Sequence, residues 1–198
     1  VCFQALLGMW TVTLNLMPIV VLGHLLGGFT TFCLLIVSLL TLRRQGNSSH
    51  IMSSPSSLCR HLYRLSQSAL LLLVLQIALG GWTASNYAAV ACTELPICES
   101  GWTEKFDISE ALTIPTGHHN YEYGVLPYEA RMSIHVLHRF GAVVVLCIFA
   151  VLAFNLIRSK STELKKHGIV LSILVSTQFL LGVSNVVFQL PIFKAVSH

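Results

Sequence analysis

Residues 133–157 read SIHVLHRFGAVVVLCIFAVLAFNLI, and this stretch decides the fold of the chain. It is predominantly apolar over a length that can cross a bilayer, which takes about 20 residues of helix. At its entrance, however, stand His135, His138 and Arg139. Polar and charged groups inside a membrane are costly and generally functional. The stretch therefore predicts a membrane helix that carries a site near one end.

The rest of the chain has the same character. Of its 198 residues, 54% are hydrophobic and 10% are charged, and the mean hydropathy is +0.73, whereas soluble domains average about 25% charged residues. Four apolar stretches are long enough to span a membrane: 18–42, 68–90, 134–157 and 168–190. We therefore predict an all-α integral membrane protein. Two further apolar segments, 1–12 and 191–198, are interpreted as truncated spans, so we expect the chain to be a fragment.

The charges between the spans predict the orientation. Segments 43–67 and 158–167 are rich in Arg and Lys, and Glu163 is the one acidic residue in them. Segment 85–132 instead holds seven acidic residues. By the positive-inside rule the two basic segments are cytoplasmic and the acidic loop, 88–131, lies outside. The net charge of +4 then reflects topology, and no nucleic-acid partner is expected.

The cysteines agree with this orientation. Cys92 and Cys98 flank a proline in the outer loop, where an oxidising compartment favours a disulfide between them. Free thiols or a metal site are the alternatives, although no further ligand stands at zinc-site spacing. The other four are interpreted as packed or reduced thiols: Cys2, Cys33, Cys59 and Cys147.

Two distant segments repeat one pattern. Residues 4–24, QALLGMWTVTLNLMPIVVLGH, and residues 178–198, QFLLGVSNVVFQLPIFKAVSH, both begin with Gln-x-Leu-Leu-Gly, carry a late proline and end in histidine. A similar opening recurs at 76–80. Internal symmetry of this kind is typical of a duplicated bundle with its site within or between the halves. We expect two four-helix halves, of which this chain lacks the first two helices and most of the last.

Three histidines fall at one predicted depth. Counted along their helices, His24, His138 and His198 each lie about 10 Å below the outer surface. A single histidine in a span often bonds to a carbonyl or lines a polar cavity, but three at one level favour ligands of a group held between helices. A bis-histidine haem fits an apolar bundle. Zinc fits less well, since it prefers several converging ligands that include cysteines or acids.

The neighbours of these histidines leave alternatives open. His135 and His138 share a helix face, and only one can ligate a given haem; His138 is favoured, while His135 can bond a propionate, move a proton or face outer water. Arg139 can pair with a propionate or reach the headgroups. Nearby glycines would admit a flat ring or close helix packing: Gly23, Gly27, Gly28 and Gly141.

Taken together, several motifs resemble those of haem A synthases, membrane enzymes that oxidise haem O to haem A for cytochrome oxidase. The resemblance covers essentially the whole chain, and the order and spacing of the motifs make it specific. They are LGMWTV (7–12), PIVVLGHLLGG (18–28), LGGWTASNYAAVACTELPIC (79–98), IHVLHRFGA (134–142) and LGVSNVVFQLPIFKAVSH (181–198).

The resemblance implies two similar four-helix bundles, each with a histidine pair for a haem. Residues 1–44 would end the first bundle, 45–67 would be a cytoplasmic linker and 68–198 would form the second bundle. His138 and His198 then map onto the iron ligands of a haem b that passes electrons. His24 maps onto the second histidine of the catalytic side, where the substrate haem sits.

The resemblance also places an iron-ligating histidine, with an acidic residue three positions before it, in the missing helices. We therefore expect the fragment alone to be inactive. Cys92 and Cys98 map onto a cysteine pair of the family's outer loops.

The implied reaction converts the C8 methyl of haem O to a formyl, and such oxidation of an unactivated C–H bond needs iron. The expected partners are haem O, a haem O synthase and membrane lipid, with a homo-oligomer left open. The expected location is the bacterial plasma membrane or the mitochondrial inner membrane. The alternative function is a bis-histidine b-type cytochrome that carries electrons without modifying haem.

Overall fold

A computed structural model describes residues 1–45 and 57–188 of the chain. The described residues form helices and loops, and none of them belongs to a β-strand. A short 3-10 turn, Ala88–Val90, follows the third helix. The helices are α1 (Cys2–Thr13), α2 (Pro18–Gln45), α3 (Ser57–Ser85), α4 (Trp102–Lys105), α5 (Ile108–Ala111), α6 (Tyr128–Ile157) and α7 (Thr162–Val187).

Four of these helices are long and apolar enough to cross a membrane, namely α2, α3, α6 and α7. Helix α1 is also apolar but shorter. In the most apolar window of α2, no residue is buried inside the protein, which is the surface expected of a helix bathed in lipid. The prediction of an all-α membrane protein is confirmed.

Some predicted boundaries were wrong. The second of the four spans was predicted at 68–90, but α3 begins at Ser57 and ends at Ser85, so the last part of the expected linker is helical. Helix α3 stops there because Asn86 folds its amide back onto the carbonyl oxygen of Trp82, at 3.0 Å, and Tyr87 adopts a left-handed backbone with φ of 53°. A left-handed residue cannot continue a right-handed helix.

Two other spans also differ at their ends. Helix α6 begins at Tyr128, ahead of the predicted start at 134. Helix α7 begins at Thr162, after Ser161, whose side chain accepts a hydrogen bond from the backbone of Leu164. Serine at this position caps the first turn by satisfying an unpaired N–H group.

Helices that follow one another along the chain pack together. Contacts join α1 to α2, α2 to α3, α3 to α6 and α6 to α7, so α6 lies between α3 and α7. One apolar cluster joins α3 to α6 at one end of the pair, with Leu62, Ala69, Phe149 and Leu152 at its centre. Helices α3 and α6 run antiparallel, because Trp82 at the end of α3 clusters with Ile134 near the start of α6, whereas Leu62 clusters with Leu152.

The segment 86–127 covers the other end of the α3–α6 pair. The indole Nε1 of Trp82 donates to the carbonyl oxygen of Ala111 at 2.9 Å, and the backbone N–H of Asp107 donates to Ser133 Oγ at 2.9 Å. This loop also reaches the α1–α2 turn, where the N–H of Tyr121 donates to the carbonyl oxygen of Asn15 at 3.1 Å. The loop and that turn thus lie at the same end of the bundle.

Candidate functional site

His24 of α2 is held against α1 by a glutamine. The Nε2 atom of Gln4 lies 2.6 Å from the carbonyl oxygen of His24 and 3.0 Å from its ring nitrogen Nδ1. Gly8 lies one turn further along α1, on the same face. A β-carbon at Gly8 would stand 3.0 Å from Cε1 of the imidazole. Helix α1 therefore gives the imidazole one hydrogen-bonding partner, Gln4, and leaves room for the ring at Gly8, which has no side chain.

The same arrangement recurs at His138, between α3 and α6. The Nε2 atom of Gln76 lies 2.9 Å from the carbonyl oxygen of His138 and 3.0 Å from Nδ1. A β-carbon at Gly80 would stand 3.1 Å from Cε1 of that imidazole. The two histidines thus have equivalent partners at equivalent positions, which is strong internal support for a duplicated site.

A second glycine completes each arrangement. Gly27 follows His24 by three residues and Gly141 follows His138 by three. A β-carbon at Gly27 would overlap Oε1 of Gln4, and one at Gly141 would overlap Oε1 of Gln76. These two glycines make room for glutamine side chains at a helix contact, which favours the close-packing interpretation at both positions.

The two histidines lie at one level of the bundle. Gly80 faces His138, while the next residue, Gly81, faces α2, where the closest side chains to its missing β-carbon belong to Leu22 and Leu25. Those leucines flank His24 along α2. Adjacent residues differ by only 1.5 Å along a helix axis, so the shared depth predicted for His24 and His138 agrees with the packing.

A cavity of about 370 Å³ opens beside His24. Its polar lining consists of Gln4 and His24, and the remaining walls are Leu25, Gly28, Phe29 and Phe32. Small-molecule sites of about 300–1,000 Å³ are mostly apolar with a few placed polar groups. This donor set, one imidazole in an apolar slot, is suited to a large flat ring that carries iron.

His135 and Arg139 lie beside His138, at the end of the bundle covered by segment 86–127. The Nε atom of Arg139 donates to Nε2 of the buried His135 at 3.2 Å. The guanidinium also donates to the carbonyl oxygens of Cys92 at 2.7 Å and Glu94 at 2.6 Å, and to that of Ile97. Arg139 therefore fastens segment 86–127 onto α6, beside His135.

The loop that Arg139 holds is closed by a disulfide between Cys92 and Cys98, which confirms the predicted pairing. Both thiols are consumed by that bond, so a metal site at these cysteines and Glu99 is not supported. Burial works to raise the pKa of Glu99, but hydrogen bonds from the backbone N–H and hydroxyl of Thr93, at 2.8 and 3.0 Å, outweigh it and lower the pKa.

The structure brings together some of the predicted site residues. His24 and His138 lie level with each other, and His135 and Arg139 lie beside His138, whereas His198 lies outside the described residues. Sequence reasoning missed Gln4 and Gln76 as histidine partners. The signal was present as Gln-x-x-x-Gly on one helix and His-x-x-Gly on the next, but only the structure shows that the two motifs face each other.

The fold and the site define a multi-pass helical membrane protein with two histidines held in equivalent positions between helices. A family model described as cytochrome oxidase assembly protein, COX15-CtaA, matches residues 1–198. The chain belongs to this family. It is 47% identical over 199 residues to Heme A synthase of Shewanella oneidensis, an alignment that covers 100% of this chain and 58% of that relative. The chain thus spans less than two thirds of its relative's length. No solved structure matches it.

Proposed function

We propose that this chain forms part of a haem A synthase, which oxidises the C8 methyl of haem O to a formyl and so supplies haem A for cytochrome oxidase. The observation that carries the proposal is His24 beside an apolar cavity, with an equivalent histidine, His138, at the same level. The family and the name of the Shewanella relative support the same activity.

The cavity beside His24 suits the substrate. Haem O is a flat and very apolar ring with a farnesyl tail, and the walls of the cavity include Leu25, Phe29 and Phe32. Phe29 and Phe32 are exposed on the surface of α2, so a ring and tail can reach the cavity from lipid. We propose that His24 binds the substrate iron and that these side chains keep water from the reacting face of the ring.

We propose that His138 and His198 would hold the iron of a haem b in the other half. His138 supports this role through its contacts, which match those of His24. When bound, haem iron supplies the one-electron and oxygen chemistry that amino-acid side chains cannot perform. The contribution of the chain is to hold the imidazoles, orient the rings and exclude water.

Arg139 and His135 are proposed as secondary contacts of the haem b. A propionate bound by Arg139 would share the guanidinium with the carbonyl oxygens that now accept from it, those of Cys92, Glu94 and Ile97. Arg139 would then couple the outer loop to the edge of the haem, because a single planar group would touch both.

We propose the plasma membrane of a bacterium or the mitochondrial inner membrane as the location, with loop 88–131 outside. The disulfide in this loop supports an oxidising compartment. Haem O synthase is the expected supplier of substrate, since haem O is poorly soluble in water.

The test is production of haem A by the full-length protein. The complete gene is expressed together with a haem O synthase, and the extracted haems are separated by chromatography. His24→Ala should abolish haem A while the membranes keep a bound haem b. His61→Ala, which removes an exposed histidine at the inner end of α3, is the matched control and should leave haem A unchanged.

Two outcomes would contradict the proposal. Undiminished haem A from His24→Ala would remove His24 from the catalytic side. Bound haem together with unconverted haem O in the wild type would favour the b-type electron carrier instead, because both functions share the bis-histidine design.

A further inference from the structure

A stripe of apolar side chains leads away from His24 along α2. Leu25, Phe29 and Phe32 line the cavity beside that histidine, and their spacing of four and three residues places them on one face of the helix. Leu25 is 37% exposed, Phe29 47% and Phe32 62%. The cavity beside the imidazole therefore opens onto the surface of α2 along these three residues, which we call the α2 stripe.

The α2 stripe runs away from the end of the bundle that carries the loops. Segment 86–127 contacts the α1–α2 turn at that end, and α2 leaves the turn at Pro18. Phe32 lies about 12 Å further along the helix than His24. It stands near the middle of α2, where a bilayer consists of hydrocarbon. A ligand group that follows the stripe is therefore expected to be elongated and apolar.

The equivalent positions of the other half carry different side chains. His24 and His138 are each followed after three residues by a glycine that faces a glutamine, so α2 and α6 can be compared position by position. Counted from the histidines, the three stripe residues Leu25, Phe29 and Phe32 correspond to Arg139, Val143 and Leu146. The α2 side is apolar and aromatic, whereas the α6 side starts with a charge and continues with smaller aliphatic groups. This difference indicates ligands with different substituents at that edge.

We propose that the α2 stripe binds the isoprenoid tail of the substrate haem, and that Phe29 and Phe32 select haem O over a haem without the tail. This inference rests on the proposed function, because it takes His24 as the ligand of the substrate iron. It assigns the direction of the tail and names the residues that decide which haem enters the substrate half.

The selectivity arises from packing. A haem that arrives from lipid leaves one apolar environment for another, so the hydrophobic effect contributes little to its binding. Dispersion contacts between the tail and the two aromatic rings are individually small but add up along a groove of fixed shape. Smaller side chains at Phe29 and Phe32 would leave gaps beside the tail and forfeit those contacts. A haem that lacks the tail makes none of them, so its affinity should not depend on these residues.

The competing interpretation is that another helix of the full-length protein covers the α2 stripe. The Shewanella relative is longer than the aligned region, which covers 58% of it. Close contacts between membrane helices are typically made by small residues, whereas two of the three stripe positions carry phenylalanine. The stripe is also continuous with the cavity at His24. Both observations favour a ligand group over a helix.

The experiment compares two haems on the full-length protein. The purified protein, with a haem b already bound in the other half, is titrated in one detergent with haem O and with protohaem, which has a vinyl group in place of the tail. Absorbance gives a dissociation constant for each haem, and His24→Ala identifies the signal that belongs to the substrate half. We expect the wild type to bind haem O about 10-fold more tightly than protohaem.

Two variants replace stripe residues by their counterparts on α6. Phe29→Val with Phe32→Leu should lower the affinity for haem O about 10-fold and leave that for protohaem unchanged. Phe32→Leu alone should lower the affinity for haem O about threefold, because only a few carbon contacts are lost. Phe3→Leu changes a phenylalanine of similar exposure on α1, outside the cavity, and is the matched control. Partition of each haem into the detergent is the same for every variant and cancels.

Three results would overturn the inference. They are equal affinity of the wild type for both haems, an unchanged affinity ratio in both variants, and an equal loss of affinity for both haems, which would indicate that protein covers the stripe. Haem A formation by a wild type that binds both haems equally would leave the proposed function standing. If the double variant did not accumulate in membranes, the affinity ratio of Phe32→Leu would decide the question.

Discussion

The segments QALLGMWT at 4–11 and QIALGGWT at 76–83 have nearly the same sequence but different surroundings. Each packs its glutamine and first glycine against a histidine of the next helix. The tryptophans differ: Trp10 is 40% exposed, whereas Trp82 is 7% exposed and donates to Ala111. Each contact with a histidine therefore depends only on the two helices that make it. Whether the end of that helix pair is covered by other residues depends on the segment that connects the two helices.

The two connecting segments explain this difference. A short turn joins α1 to α2, whereas residues 86–127 join α3 to α6 and fold back over that pair. The end of the α3–α6 pair near His138 consequently has a disulfide, the hydrogen bonds of Arg139 to carbonyl oxygens of the loop, and a buried tryptophan. Substitutions at the glutamine and glycine that contact a histidine should therefore have the same effect in the α1–α2 pair and in the α3–α6 pair. Substitutions in segment 86–127 should affect only the α3–α6 pair.

The largest effect is expected from filling the gap beside each ring. The branched side chain of Gly8→Val or Gly80→Val would occupy the space of Cε1 and displace the imidazole. Each variant should lower haem binding in its own half about 100-fold, as loss of ligand orientation does, and leave the other half intact. Haem titration followed by absorbance measures this. Gly23→Ala, whose β-carbon would meet only Leu7 at 3.9 Å, is the control. If one variant lowered haem binding equally at His24 and at His138, the two histidine contacts would not be independent of each other.

The disulfide should matter in one half only. Cys92 and Cys98 are six residues apart, and opening a loop of this size costs about 2 kcal/mol of stability through the entropy of the unfolded chain. The double variant Cys92→Ser with Cys98→Ser should therefore unfold at lower temperature in detergent and lose protection of the loop against protease. Haem bound at His24 should stay. Loss of that haem would show that segment 86–127 also stabilises the site at His24.

The tryptophans give a matched pair. Trp82→Phe removes the donor to the carbonyl oxygen of Ala111, within a buried cluster, and should cost about 1.5 kcal/mol. Trp10→Phe removes an exposed side chain's N–H group and should change stability by less than about 0.5 kcal/mol. Denaturant unfolding of both variants in the same detergent measures the difference. Equal costs would mean that the α1–α2 half is covered as well.

The smallest effect concerns Glu99. Its pKa is lowered because the hydrogen bonds from Thr93 favour the carboxylate more than burial disfavours it. The carboxylate therefore stabilises the loop above its ordinary pKa of 4.5, and this contribution is lost as the pH falls through the lower folded value. Because the group is largely solvated, we expect less than about 1 kcal/mol. Cleavage of the loop by pepsin should rise as the pH falls from 5 toward 2 in the wild type, and the same increment should be missing from Glu99→Gln.

Much of the architecture was predictable. The four spans follow from long apolar runs, because a lipid environment demands helices with satisfied backbones. The pairing of Cys92 with Cys98 was predicted from a loop expected to lie outside, and the pairing itself is confirmed. The end of α3 was missed, because the apolar run continues through Ala88 to Val90 while Asn86 and Tyr87 turn the backbone away. Hydropathy does not register such a turn.

The sequence by itself determined that the chain is a helical membrane protein and predicted one depth for His24 and His138, because apolar length and residue spacing are properties of a single helix. The tertiary structure alone decided what touches those histidines. Gln4 and Gln76 are their partners, and Arg139 donates to carbonyl oxygens of segment 86–127. The physical reason is that a hydrogen bond between helices depends on their relative rotation and height, which packing sets and no local pattern encodes.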